Sequence, residues 1–307
     1  NATGLNALTA YTIKVNTKDT SGNVNATNVN STASTTNFTG NQAPTQGTPI
    51  LNSTTGANTT SENLTCYNQD TYDANGDPVK NIFNWQRNST SISLLNMPFE
   101  GGSNATYTKD YSGNGNNGAV NGSTWSSTGG YDGKGVYGFD GVNDYINLGA
   151  PSNLNFVGNT SFTIAAWVKV LGGTNTHRPI VVKGDTQYTL KIYTNNTFES
   201  CAYDGAWKCA YSISNLTQGS WYHVVGRFGN GNVSLWVNGA YQSSTTYTGI
   251  TTNAYNVNIG RDAQNPTRLF NGTIDEVLIL NRALSSQEIN YLYQTGTDRI
   301  LSQELAL

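Results

Sequence analysis

Two cysteines and two large aromatic residues share one short stretch of the chain. Cys201 and Cys209 are placed symmetrically about an Asp-Gly turn signal at residues 204–205. A hairpin at that turn would set the two thiols opposite each other, and a disulfide there would stabilise the fold by about 2–3 kcal/mol. The alternative is a hairpin that carries two reduced thiols. Tyr203 and Trp207 could stack on sugar rings, unless they pack in the core or lie beneath glycans.

Signals for asparagine-linked glycosylation occur along the whole chain. Fifteen Asn-x-Ser/Thr sequons are present, and 12 of them end in Thr. Chance alone would give roughly nine in a chain this rich in Asn, Thr and Ser, so the excess favours an extracellular glycoprotein over a merely polar surface. The sequons begin at Asn1, Asn25, Asn30, Asn37, Asn52, Asn58, Asn63, Asn88, Asn104, Asn121, Asn159, Asn195, Asn215, Asn232 and Asn271.

The composition points to an all-β protein and excludes two kinds of partner. Charged residues make up only 11% of the chain, while 18 Tyr and 6 Trp can fill packed cores. A net charge of −3 without a basic run excludes a nucleic-acid-binding surface. No apolar run approaches the roughly 20 residues of a membrane span. The third cysteine, Cys66, is left without an evident partner, which is unusual in a secreted chain.

The N-terminal residues predict part of a small β-domain. Residues 8–15 alternate at period two, and a turn and a polar strand over residues 24–35 follow. This arrangement resembles the last two strands of a fibronectin type III domain, and we assign residues 1–40 to such a piece.

The next residues predict the beginning of a second β-domain. Residues 62–67 and 82–86 have the pattern of strands, the first with Cys66 and the second with Trp85. A Cys strand followed by a Trp strand resembles the first part of an immunoglobulin-like sandwich. We assign residues 41–93 to this part.

From residue 94 onward, short motifs follow one another in a characteristic order. They are Leu-Leu-Asn-Met-Pro-Phe-Glu at 94–100, Asp-Tyr-Ser-Gly-Asn-Gly-Asn-Asn-Gly at 110–118, Phe-Asp-Gly-Val-Asn-Asp-Tyr-Ile at 139–146, Phe-Thr-Ile-Ala-Ala-Trp-Val at 162–168, Trp-Tyr-His-Val-Val at 221–225, Leu-Trp-Val-Asn-Gly at 235–239, Ile-Gly-Arg at 259–261 and Phe-Asn-Gly-Thr-Ile-Asp-Glu-Val at 270–277. In this order they resemble the laminin-G-like, pentraxin-like branch of the concanavalin A-like lectins. The resemblance implies a jelly-roll sandwich over residues 94–296.

Local signals agree with such a sandwich. Residues 162–167 are apolar on both faces, as expected for a strand that is buried on both sides. Asn-Gly at residues 238–239 predicts a tight hairpin. Ser285, with Glu288 three residues later, predicts the capped start of one helix near the end of the domain.

The resemblance also bears on catalysis. Glycan-cleaving sandwiches of this superfamily carry a Glu-x-Asp-x-x-Glu strand, which sets carboxylates on one face, and this sequence has no such spacing. Asp275 and Glu276 are adjacent, so in a strand they point to opposite faces. We therefore expect no enzymatic activity.

The same resemblance implies a calcium ion near the first and last strands of the domain. Asp110 and Asp275 would supply carboxylates, and Asn114 and Asn116 would add oxygen ligands, a donor set that suits Ca²⁺. The alternative is that Asp110 and the asparagines form turns only.

The end of the chain predicts a strand that belongs to the earlier domain. Residues 297–307 are too apolar for a free tail. We therefore expect the laminin-G-like domain to be inserted into the immunoglobulin-like sandwich, which residues 297–307 resume. The orphan strands of residues 1–40 would belong to a longer chain, or would complete a neighbouring copy by strand addition and so build a filament. The alternative is that both ends are disordered.

These features predict a non-catalytic structural or adhesive module of a large glycosylated cell-surface protein or filament. Its partners would be other copies of itself, or adjacent domains, joined by strand addition, and carbohydrate. The alternative function is that of a carbohydrate-binding module in a secreted glycan-degrading enzyme.

Overall fold

Strands, one α-helix and one 3-10 helix make up the regular structure of the residues that are described. The computed structural model describes residues 10–15, 29–34, 42–53, 55–57, 64–77, 79–173, 176–295 and 299–300. The chain divides into two units, one formed by Asn1–Thr48 and Gln69–Val79 and the other by Pro49–Asn68 and Lys80–Leu307.

The element bounds are as follows. Before the main sandwich lie β1 Ala10–Val15, β2 Val29–Ser34, β3 Ile50–Ser53, β4 Leu64–Tyr67, β5 Gln86–Arg87 and β6 Thr90–Ser91. The remaining elements are β7 Ser93–Met97, β8 Tyr107–Thr108, β9 Gly118–Asn121, β10 Thr124–Ser126, β11 Val136–Asp140, β12 Tyr145–Asn147, a 3-10 helix Ser152–Leu154, β13 Phe162–Val170, β14 Arg178–Lys183, β15 Tyr188–Ile192, β16 Phe198–Tyr203, β17 Trp207–Tyr211, β18 Trp221–Gly229, β19 Asn232–Val237, β20 Ala240–Thr246, β21 Val257–Ile259, β22 Asn271–Leu280, α1 Ser286–Thr295 and β23 Arg299–Ile300.

Two antiparallel sheets of eight strands each form the body of the larger unit. The first sheet has the order β10-β11-β22-β13-β18-β19-β20, with β7 paired to β22. The second sheet has the order β17-β16-β15-β14-β21-β12-β9-β8. Side chains from both sheets share one large hydrophobic core. The prediction of an all-β sandwich is therefore confirmed.

Strand β13 shows how the sequence pattern positions this core. Phe162, Ile164 and Ala166 belong to the core between the sheets, whereas Ala165 belongs to a second apolar cluster on the opposite face. The strand is therefore buried on both sides, as its sequence predicts. The hairpin at residues 238–239 also forms, because both residues adopt the positive φ that this turn requires.

Helix α1 covers the outer side of the first sheet. Ile289 packs in the second apolar cluster with residues of β13, β18 and β22. The backbone N–H of Glu288 donates to Ser285 Oγ at 3.3 Å, and the backbone N–H of Ser285 donates to Glu288 Oε2 at 2.9 Å. The predicted capping box is therefore present.

A small sheet with the order β23-β4-β3 carries the unpaired Cys66. Arg299 and Ile300 pair with Thr65 and Leu64, which agrees with the expectation that the last residues return to the Cys66 strand. Residues 301–307 lie outside the described residues, and the insertion of one domain into the other stays a prediction.

The strand predicted over residues 82–86 is wrong. Only Gln86 and Arg87 form a short strand, paired with β6. Trp85 instead packs against the second apolar cluster on the first sheet, so its burial does not require a strand. Leu64 packs against the same cluster.

The smaller unit contains the antiparallel hairpin of β1 and β2, paired from Ala10 with Ser34 to Val15 with Val29. Strands at these positions agree with the sequence pattern, although parts of both predicted strands lie outside the described residues. An isolated bridge between Thr45 and Tyr72 belongs to the same unit. The assignment of residues 1–40 to a fibronectin-like piece stays a prediction.

Candidate functional site

The cysteine hairpin forms as the sequence predicts. Strands β16 and β17 pair with Cys201 opposite Cys209, and the two residues are joined by a disulfide. Gly205 permits the turn because its φ is +100°, which side chains other than glycine rarely adopt.

The hairpin presents an aromatic pair to solvent. The rings of Tyr203 and Trp207 lie 5.1 Å apart at 65°, and Trp207 is 39% exposed. The ammonium of Lys191 lies 5.0 Å from the centre of the Trp207 ring. Trp207 therefore offers part of its surface to a ligand on a hairpin that is held by a disulfide.

These side chains lie on the face of the second sheet that points away from the shared core, which we call the outer face. Leu190, Phe198 and Ala210 point into the core, so the residues that alternate with them point outward. The outer face carries Trp207, Tyr203, Cys201, Cys209, Glu199, Lys191, Thr189, Asn258, Asn147 and Tyr145.

Basic and acidic side chains on the outer face form a network of ion pairs, in which each basic group contacts two carboxylates. Lys191 Nζ lies 2.9 Å from Asp185 Oδ1 and 3.2 Å from Glu199 Oε1. Arg268 contacts Asp185 at 2.5 Å and Asp262 at 3.4 Å. Burial alone would raise the pKa of the Asp185 carboxyl, but Lys191 and Arg268 hold it below its usual value. The Asp185 carboxylate is therefore held in the charged form.

Several polar side chains on this face are enclosed but lack a hydrogen-bond partner. Thr189 and Asn258 are 0% and 1% exposed although they point away from the core. Thr189 Oγ1, both amide atoms of Asn258 and Arg261 Nε have no partner in the described part of the chain. The types and spacing of these residues do not indicate a site in the sequence, apart from the polar Asn258 between apolar Val257 and Ile259 in a short strand.

The residues proposed to bind calcium make other contacts. Asp110 Oδ1 accepts from the backbone N–H groups of Asn96 and Ser112, and Oδ2 accepts from the Ser112 hydroxyl and the Asn116 backbone. The side-chain amides of Asn114 and Asn116 donate to backbone carbonyls. The bond from the Ser112 backbone N–H to Asp110 Oδ1 is that of a turn, whereas the amides of Asn114 and Asn116 reach carbonyls of strand β7.

Asp275 lies in a different environment from Asp110. Its carboxylate accepts from the backbone N–H groups of Tyr131 and Glu276, at 2.8 and 2.9 Å. No hydrogen bond among the described residues joins Asp275 to Asp110, Asn114 or Asn116. Calcium binding at these four residues stays an untested prediction.

A second carboxylate cluster lies beside Asp275. Glu100, Asp132 and Glu276 have carboxylate oxygens within 4.8 Å of one another. The ammonium of Lys80 lies 3.1 Å from Glu100 and 2.8 Å from Asp132, and it also contacts Glu276. Lys80 thus supplies the positive charge in this cluster. A further group, Glu199 with Cys201 and Cys209, has its sulfurs bound in the disulfide.

The two histidines form no catalytic arrangement in the part of the chain that the structure describes. His223 is buried between Trp167 and Tyr293, and burial lowers its pKa to about 3. His177 Nδ1 lies 3.2 Å from Glu199 Oε1. His223 therefore packs as a neutral core side chain.

The described sequon asparagines are accessible. Asn52, Asn88, Asn104, Asn159, Asn195 and Asn215 are exposed, and Asn121, Asn232 and Asn271 are half-buried. The side chains of Asn1, Asn25, Asn30, Asn37, Asn58 and Asn63 lie outside the description. No helix among the described residues is both long and apolar enough to cross a membrane.

Solved structures with the same fold include binding domains of toxins and of a glycan-degrading enzyme. The binding domain of Paraclostridial Mosquitocidal Protein 1 has a TM-score of 0.55 and 18% identity, over 66% of this chain and 51% of that one. The botulinum neurotoxin serotype G binding domain has a TM-score of 0.51 and 17% identity, over 66% and 50%. Domain 4 of AbnA, a GH43 extracellular arabinanase from Geobacillus stearothermophilus, in complex with arabinotriose, has a TM-score of 0.50 and 21% identity, over 66% and 98%.

The chain spans about half the length of the toxin domains and nearly all of the arabinanase domain. At these identities the likeness establishes the fold alone. No curated protein matches the chain. Residues 140–290 match the family model described as the concanavalin A-like lectin/glucanases superfamily, Laminin_G_3, and this match agrees with the concanavalin A-like sandwich that the two sheets form.

Proposed function

We propose that this chain is a non-catalytic, extracellular adhesive module that binds carbohydrate on the outer face of the second sheet. It would form part of a large glycosylated cell-surface protein or filament. The observation that carries the proposal is Trp207, an exposed indole on a disulfide-locked hairpin. Aromatic rings stack on sugar rings, and polar groups such as those of Thr189 and Asn258 can bind sugar hydroxyls.

The charges on this face support binding rather than hydrolysis. A glycoside hydrolase needs one carboxyl group that is protonated at working pH beside a second, ionised one. Asp185, Glu199 and Asp262 each contact a basic side chain, and the pKa of Asp185 is lowered rather than raised. None of them has the environment of a general acid.

An extracellular location is supported by the disulfide and by the sequons. Disulfides persist mainly in oxidising compartments outside the cytosol. The exposure of six described sequon asparagines leaves room for attached glycans. Domain 4 of the arabinanase belongs to an extracellular enzyme, which agrees with this location.

A carbohydrate-binding module of a secreted glycan-degrading enzyme is the second candidate. One observation favours it: the fold likeness extends over 98% of the arabinanase domain that was solved with arabinotriose. Both candidates use the same binding face. They differ in whether a catalytic domain accompanies this chain in its reading frame.

Strand addition at β3 would join this module to copies of itself or to adjacent domains. Among the residues that the structure describes, strand β3 pairs with β4 alone, and its Ile50 and Leu51 are 47% and 55% exposed. Open edges of this kind accept further strands. Analytical ultracentrifugation should show concentration-dependent association that Leu51→Lys reduces. A wild-type chain that stays monomeric at high concentration would exclude self-association.

The carbohydrate-binding proposal is tested with a glycan array followed by titration calorimetry on any glycan that binds. Trp207→Ala should weaken binding by about tenfold or more, because stacking on an aromatic face contributes on the order of 1–2 kcal/mol. Tyr241→Ala is the matched control, since Tyr241 is an exposed aromatic paired with Trp236 on the first sheet. Absence of any bound glycan, or equal loss in both variants, would contradict the proposal.

A further inference from the structure

One cation on the outer face has no acidic partner. The guanidinium of Arg261 lies over the ring of Tyr145, 3.3 Å from its centre. Its Nε is buried and has no hydrogen-bond partner within the described ranges of the chain. No ion pair among the described residues includes Arg261, whereas Lys191 and Arg268 on the same face each contact two carboxylates. Arg261 therefore retains an uncompensated positive charge.

Asn258 also lies on the outer face, close to Tyr145 in the pairing of β21 with β12. In the pairing of β21 with β12, Asn258 is opposite Asn147, and Ile259 points into the core. Gly260, at a φ of +83°, turns the chain between Asn258 and Arg261. Asn258 is 1% exposed, yet no described residue forms a hydrogen bond with its Oδ1 or its Nδ2. An unpaired buried polar group destabilises the fold, and a ligand that hydrogen-bonds to it would recover that loss.

The chemistry of these two side chains selects an anion with paired oxygens. Arginine presents a planar fork of N–H donors that matches a carboxylate, and it accepts no hydrogen bond. The Asn258 amide can donate to the same group through Nδ2 and accept from a sugar hydroxyl through Oδ1. A neutral sugar would leave the charge of Arg261 unpaired. A sugar acid satisfies both side chains.

We infer that the glycan bound on the outer face is acidic, and that a uronic acid carboxylate binds at Arg261 and Asn258 beside Tyr145. This inference rests on the proposed function and specifies its ligand. In the sheet order, Tyr145 on β12 lies five strands from Trp207 on β17, on the order of 24 Å at the usual strand spacing. A ligand that contacts both aromatic residues is therefore an oligosaccharide of several units.

The test compares matched ligands by titration calorimetry. A hexamer of galacturonic acid, its fully methyl-esterified form and a sulfated oligosaccharide of equal length are titrated into the full chain. The free acid should bind at least about tenfold more tightly than its ester, since a charge-assisted pair contributes about 1.5–3 kcal/mol. Arg261→Gln should remove most of that difference, because it should weaken the binding of the acid far more than that of the ester. Arg261→Lys should keep only part of it, because lysine lacks the planar fork.

Lys169→Gln is the control for lost charge, since Lys169 lies over the ring of Trp221 on the first sheet. It should leave the preference for the acid unchanged. Equal binding of acid and ester to the wild-type chain would overturn the inference and leave the proposed function intact. A preference for the sulfated ligand would overturn the carboxylate assignment. Failure of all three ligands and of neutral glycans to bind would instead refute the proposed function itself.

Discussion

The ammonium group of Lys80 donates a hydrogen bond to the carboxylate of Glu276, a residue 196 positions later in the chain. Asp132 and Glu100 complete the group of acceptors around it. Burial alone would lower the pKa of Lys80, but these three carboxylates raise it above its usual value. This ion pair joins Lys80, which precedes the first strand of the sandwich, to strand β22. Strand β22 has a bulge here, and Glu276 adopts a φ of +50°.

Replacing Lys80 should destabilise the fold. Lys80→Met leaves three neighbouring carboxylates without a cation, and we expect the free energy of unfolding to fall by about 1–3 kcal/mol. Urea denaturation followed by tryptophan fluorescence measures the change. Lys109→Met is the control, since Lys109 is exposed and lies over the ring of Tyr111. Equal stability of the two variants would show that the cluster contributes nothing.

Asp275 should make stability fall as pH rises. Burial, with a smaller contribution from Glu276, raises its pKa to about 8, so the folded state holds a proton that the unfolded state releases near pH 4. The stabilisation is complete below pH 4 and is lost as pH rises toward 8. Above pH 6.5 His223 is mostly neutral in both the folded and the unfolded state, so it no longer changes the free energy of unfolding with pH. Between pH 6.5 and 8 the melting temperature should therefore decrease because of Asp275. Asp275→Asn should flatten this dependence, and an unchanged slope in that variant would contradict the assignment.

Much of the sandwich could be predicted from local pattern. The strand at residues 162–168, the turn at 238–239 and the helix that begins after Ser285 each depend on neighbouring residues, whose spacing is visible in the sequence. Trp85 shows the limit of such patterns. Its surroundings have the alternation of a strand, but tertiary packing against the second apolar cluster determines its position.

The candidate site was only partly predictable for the same reason. Tyr203 and Trp207 could be proposed because the hairpin that carries them is local. Arg261 and Asn258 form a site only with Tyr145, which comes from a strand more than 100 residues earlier. Contacts of this kind depend on the strand order of the sheet, which the sequence alone does not reveal.

The disulfide should stabilise both the fold and the binding face. The double variant Cys201→Ser, Cys209→Ser should lose about 2–3 kcal/mol of stability, since the bond closes a short loop. The double variant should also weaken glycan binding, because β17 is an edge strand and the disulfide restricts the position of Trp207 on it. Cys66→Ser, which removes the unpaired thiol, serves as the control. Labelling of Cys201 and Cys209 by a thiol reagent in the native protein would disprove the pairing.

Glycans should be attached at the exposed sequons. We expect the chain purified from its native source to exceed its polypeptide mass of 33.0 kDa and to lose the excess after deglycosylation. Peptide mapping should find occupancy first at Asn52, Asn88, Asn104, Asn159, Asn195 and Asn215, whose side chains are exposed. An intact mass equal to that of the bare polypeptide would contradict this prediction.

A crystal structure with a bound oligosaccharide tests the central claim most directly. Crystals would be soaked with the tightest ligand from the array, and its position would be read from difference density. The account predicts sugar rings over Trp207 and along the outer face of the second sheet, with hydrogen bonds to Thr189 and Asn258. Sugar bound on the first sheet, or in loops remote from Trp207, would contradict it.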